Sequence, residues 1–130
     1  MVQKDIENLE DIKFLVDTFY SKVREDVTIG PIFKDVIGNN WEKHLDKMYR
    51  FWQTILLDEI AYSGSPFLAH AKLPIHKEHF DIWLQLWKDT LTANFTGQKT
   101  TDALWRAERM AEMFQYKLDY MRNNNTTPLI

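Results

Sequence analysis

Three of the four histidines in the chain fall within one short stretch, AHAKLPIHKEHF, from Ala69 to Phe80. Clustered imidazoles point first to a metal. Zinc held on one helix face needs its ligands at matching spacing, and the HExxH arrangement is absent. His76-Lys77-Glu78-His79 is one residue short of the inverted motif, so its imidazoles stand at i, i+3. The Glu-x-x-His signature of a di-iron bundle is missing too. Beside Lys77 and Glu78 at a predicted helix start, His76 and His79 read as solvated surface residues suited to an anion. A surface zinc site is the alternative for that pair.

His70 differs. Its neighbours are Phe67, Leu68, Ala69, Ala71 and Leu73, so it lies in an apolar turn. One reading is a buried histidine bonded to a backbone carbonyl. The other is a single axial ligand to a flat macrocycle, which needs only one imidazole because the porphyrin supplies four nitrogens. The second reading also gives a use to the aromatic residues, 14% of the chain with five Trp and eight Phe, which could wall a disc-shaped cavity. The chain has no cysteine, which removes disulfides, thiolate metal sites, iron–sulfur clusters, covalently attached haem and thiol nucleophiles together.

Three further polar tips lie on apolar stripes: Tyr20, His44 and Trp83. A buried phenol, imidazole or indole wants a hydrogen-bond partner. One such group in a core is ordinary, whereas three on converging stripes indicate a site.

The elements that must carry these groups are helical throughout. Ile12, Leu15, Val16, Phe19, Tyr20 and Val23 form a stripe at i, i+3, i+4 spacing, with Asn8 as its cap and Gly30-Pro31 as its break. A short turn follows from Pro31 to Val36 and stops near Gly38. Asn40 caps a helix over Trp41 to Leu57, whose inner stripe includes His44, Met48, Phe51 and Trp52. Asp58 to Pro66 reads as a loop, and Phe67 to Lys72 as one or two turns ended by Pro74. A long helix starts at Ile75 or Lys77 and runs to Phe95, with Phe80, Trp83, Leu84, Trp87 and Leu91 inward and Gly97 closing it. The last helix spans Thr101 to Arg122. No stretch alternates with period two, so the fold class is all-α, one domain over residues 1–122 with a disordered tail over 123–130.

The 130 residues suffice for a single core. The net charge of -3, with both signs interspersed and no basic run, excludes the electrostatic footprint of a nucleic-acid binder. No apolar run reaches the ~18 residues of a membrane span. Met1 is followed by charged and polar sequence instead of a secretory signal, so the cytoplasm is the expected location.

The segments FYSKVREDVTIGPIF, WEKHLDKMYRFW, His70 followed by Leu73-Pro74, and FDIWLQLW resemble the truncated haemoglobins, and most of all their third, bacterial group. The likeness spans about Ile12 to Tyr120, and the absence of any Gly-Gly pair agrees with that group. The resemblance implies a globin-like two-over-two helical sandwich around a non-covalent haem b. It makes His70 the proximal iron ligand. It makes Tyr20 and Trp83 hydrogen-bond donors to a bound diatomic ligand, with His44 at the distal gate. Phe33 matches the residue packed on the haem edge, and Met48, Phe51 and Trp52 the distal lining. Leu73 and Phe80 are further haem contacts. Lys47 is placed to meet a propionate, although Lys72, His76 and Lys77 compete for that role. The implied ligands are dioxygen, nitric oxide and carbon monoxide, and the implied electron partner is an unidentified reductase. Oxygen held by two donors suits nitric oxide dioxygenation, peroxide handling or ligand sensing better than bulk delivery. A cofactor-free helical interaction module is the rival reading.

Overall fold

The computed structural model describes residues 3–62 and 74–124. Five helices lie among them, with no strand beyond an isolated bridge between Lys4 and Phe95. Helix α1 (Leu9–Glu25) buries the expected stripe from Ile12 to Val23. The Asn8 side chain caps it by accepting the Asp11 N–H at 3.0 Å. Acidic Glu10 and Asp11 sit in its first turn and basic Lys22 and Arg24 in its last, which suits the helix dipole.

The helix ends at Glu25, short of the Gly30-Pro31 break expected from sequence. Asp26 is the reason. Its N–H returns to the carbonyls of Lys22 and Val23, and its carboxylate accepts the N–H groups of Thr28 and Ile29 at 2.8 and 2.9 Å. Gly30 and Pro31 instead open helix α2 (Gly30–Ile37), where a proline without an N–H loses nothing. A Cβ on residue 30 would stand 2.9 Å from the Arg24 carbonyl oxygen, so glycine permits the tight return against α1.

Helix α3 (Trp41–Leu57) has the expected bounds and follows Asn40, whose side chain makes no capping bond. Helix α4 (Lys77–Asn94) ends before Phe95, whose extended backbone faces Lys4. Gly97 therefore does not close α4, as sequence suggested. It precedes helix α5 (Gln98–Asn124), which starts three residues earlier than the expected Thr101. Asp5 explains both shifts. Its carboxylate accepts the N–H groups of Lys99 and Thr100, each at 2.9 Å, and the Thr100 hydroxyl at 2.8 Å. The N-terminal arm thus caps α5 across the fold.

Helix α1 packs on α3 and on α4, α4 packs on α5, and α5 also touches α3. The α1–α3 pair therefore lies over the α4–α5 pair, the two-over-two arrangement. Phe19, Trp52 and Trp87 join the layers. Trp87 stacks on Trp52 with ring centres 4.7 Å apart and meets Phe19 edge-on at 5.0 Å. Its indole N–H is satisfied by the Ala103 carbonyl at 3.2 Å. No helix among the described residues is long and apolar enough to cross a membrane.

Candidate functional site

Between the two helix pairs lies a cavity of about 200 Å³. Its walls are mostly aromatic and aliphatic. Met48, Phe51 and Trp52 from α3 and Phe80 from α4 line it on the helices expected from sequence, and Phe33 lines it from α2, where sequence suggested only a short turn. Further described lining residues are Ile29, Ile32 and Ile75, with Met110 and Phe114 from α5.

The three polar tips converge on this space. Tyr20, His44 and Trp83 all line the cavity, from α1, α3 and α4 respectively. Tyr20 is 7% exposed, and burial alone holds its phenol pKa well above the usual value, so the hydroxyl stays protonated and able to donate. The Nε2 atom of His44 is shielded from solvent. The Tyr20 and His44 rings meet edge-on at 5.0 Å. Trp83 stands edge-on to Phe19 at 5.8 Å and parallel to Trp87 at 6.4 Å. The Trp87 indole is committed to a backbone carbonyl, whereas that of Trp83 has no such bond among the described residues.

Other expected residues fall elsewhere. Lys47 is exposed and is not part of the cavity wall. His70 and Leu73, together with Lys72 and the expected turn from Phe67, lie outside the described residues. The backbone on either side is held in place. The Thr54 hydroxyl of α3 accepts the N–H groups of Ala61 and Tyr62 at 3.1 and 3.0 Å. Arg122 of α5 donates to the Ile75 carbonyl at 2.8 Å and lies 3.2 Å from His76 Nδ1.

His79 corrects the sequence reading. Expected as a solvated residue, its side chain is only 14% exposed and borders the cavity. Its Nδ1 accepts the His76 N–H at 2.8 Å, closing the first turn of α4. The signal was present as spacing, since His79, Trp83 and Trp87 follow one another at i, i+4 along the inner face. Among the described residues no group of three His or carboxylate side chains is placed to hold a metal ion.

A flat apolar group fits this chamber. Aromatic rings bound it, and among the described residues the polar side chains that line it are a buried phenol, an indole and two imidazoles. This lining suits a porphyrin whose iron needs a donor on one face and open space on the other.

Comparisons with known proteins agree with that chamber. The family model described as bacterial-like globin matches residues 5–116. A group 3 truncated hemoglobin, ctb, of Campylobacter jejuni is 38% identical over 115 residues, covering 85% of this chain and 91% of that protein. The crystal structure of a group III truncated hemoglobin from Campylobacter jejuni superposes with a TM-score of 0.82 at 36% identity, over 90% of this chain and 95% of the other.

Proposed function

Since the chain belongs to the bacterial-like globin family, and within it to the group III truncated haemoglobins, we propose that it binds haem b through His70 and captures diatomic ligands beside Tyr20 and Trp83. Haem binding follows from the family. The assignment of individual residues rests on the convergence of Tyr20, His44 and Trp83 on one apolar cavity.

When bound, haem supplies an iron with one position open to a diatomic ligand. His70 would supply the imidazole that holds the group. Phe33, Met48, Phe51, Trp52 and Phe80, which line the cavity, would surround it and exclude water, with Leu73 a further contact implied by the resemblance, and exposed Lys47 would offer a cation to a propionate. The Tyr20 hydroxyl and the Trp83 indole N–H, which both line the cavity, would donate to a bound ligand that carries negative charge. Few competing dipoles surround them, so each bond is stronger than it would be in water. His44 borders the way in.

Donors aimed at a charged ligand favour oxygen over carbon monoxide, which develops less charge. They also slow oxygen loss, which favours reaction of held oxygen with nitric oxide, or peroxide handling, over bulk transport. Electrons would come from a separate reductase. The test is stopped-flow mixing of the oxygenated protein with nitric oxide. Rapid stoichiometric appearance of ferric haem and nitrate supports dioxygenation, and simple oxygen displacement without nitrate excludes it.

A further inference from the structure

Four side chains interlock where α1 meets the start of α3. Tyr20 and Arg24 are one turn apart on α1, and Trp41 and His44 are one turn apart on α3. The Arg24 guanidinium carbon stands 4.5 Å from the centre of the Trp41 ring. Trp41 in turn meets His44 at 5.9 Å and Tyr20 at 6.0 Å, both edge-on. Tyr20 and His44 line the cavity, whereas Trp41 and Arg24 do not. Exposure falls in the same order: Arg24 is exposed, Trp41 and His44 are half-buried and Tyr20 is buried. Tyr20, Trp41 and His44 form a triangle of mutually touching rings between solvent and cavity, with exposed Arg24 laid over Trp41.

Among the described ring contacts the His44 imidazole has two neighbours, Tyr20 and Trp41. On the cavity side is Tyr20, buried and packed edge-on against Phe19 and Phe33. On the outer side is Trp41, half-buried at the first position of α3, with a cation laid over its ring. The outer neighbour is the one able to yield, and Arg24 is what weights it down.

We propose that Arg24, acting through Trp41, is a positioning residue that keeps the His44 imidazole turned over the cavity and thereby slows ligand entry. This rests on the reading that His44 borders the ligand's route. Arg24 touches neither the cavity nor anything bound in it. Its influence is carried by the ring between.

The decisive experiment is flash photolysis of the carbon monoxide complex of the holoprotein, reading the bimolecular rebinding rate. Arg24→Met keeps the aliphatic stem and removes the cation. An exposed cation–π contact is weak, so the expected acceleration is about two- to five-fold. Arg24→Lys, which keeps a cation, should stay close to the parent rate. In a His44→Leu background, Arg24→Met should produce no further change, because the group it positions is gone. An unchanged rate in the single variant overturns the proposal. So does an equal acceleration in the His44→Leu background, which would mean that Arg24 acts without the histidine. A second readout needs no haem. In the apoprotein, Arg24→Met should shift and broaden the His44 ring resonances while leaving those of His79 on α4 in place. If the parent protein takes up no haem, the globin reading fails on its own account. Undisturbed His44 resonances would then separately sink the bracket of Arg24 and Trp41.

Discussion

Replacing Tyr20 by phenylalanine removes one oxygen atom and leaves the ring. Phenylalanine keeps the edge-on contacts with Phe19 at 4.9 Å, His44 at 5.0 Å and Phe33 at 6.0 Å, so the packing between α1, α2 and α3 survives. What disappears is a buried donor whose raised pKa has burial as its sole cause. A hydrogen bond to a charged acceptor contributes about 1.5–3 kcal/mol. At 1.4 kcal/mol per decade this is roughly a 10- to 150-fold change in oxygen dissociation. Trp83 lines the same cavity and, as the second proposed donor, would offset part of the lost hydrogen bond, which places the expected acceleration in the lower part of that range, roughly 10- to 40-fold. Carbon monoxide, which develops less charge, should change by no more than about threefold, under 1 kcal/mol. Displacement of each ligand in a stopped-flow instrument gives both rates. The apoprotein supplies a control, because the buried hydroxyl makes no hydrogen bond among the described residues. Its melting temperature should therefore be unchanged or higher in Tyr20→Phe. Equal acceleration for the two ligands, or none for oxygen, would refute hydrogen bonding by Tyr20.

The N-terminal arm yields further tests. Asp5→Asn removes the charge from three bonds at the start of α5 and should lower stability by about 1–2 kcal/mol in urea unfolding at neutral pH. Burial pushes the Asp5 carboxyl up, but the N–H groups of Lys99, Ile6 and Thr100 and the Thr100 hydroxyl outweigh it and hold the pKa below its ordinary 3.8. A depressed folded-state value means that the contribution is fully present above the unfolded value and disappears as pH falls below 3.8 through the folded one. The parent and Asp5→Asn proteins should therefore converge in stability under acid, and a gap that persists there would contradict the assignment. Gly97→Ala should cost roughly 2–4 kcal/mol in the same assay, because residue 97 has φ +135° and a Cβ there would lie 2.5 Å from the Asp5 side chain. A neutral Gly97→Ala would show that the arm shifts freely.

What could be read from sequence divides by range. The stripe of α1, the Asn8 cap and both ends of α3 are local, set by spacing within a few turns, and they appear where expected. The start of α5 is not local. Thr101 looks like a helix start in the sequence around it, but the carboxylate that caps the helix is Asp5, 95 residues before Thr100. Gly97 misled for the same reason: its positive φ belongs to the approach of that arm, not to the end of α4. Within the cavity, large apolar residues on inner stripes could be placed, because burying them dominates helix orientation. Tyr20, His44 and Trp83 were found because a polar tip on an apolar stripe stands out. His79 was missed because charged Lys77 and Glu78 precede it, and its partner is the backbone N–H of His76, which sequence does not display.

The account depends most on His70, and ferrous haem reports it directly. The parent protein should take up one equivalent of haemin and, once reduced, show the spectrum of a five-coordinate iron with an imidazole ligand, including an iron–histidine vibration in resonance Raman. In His70→Gly that vibration should vanish and return when free imidazole fills the gap. A His70→Gly protein that keeps the parent vibration without added imidazole would place the iron on a different side chain.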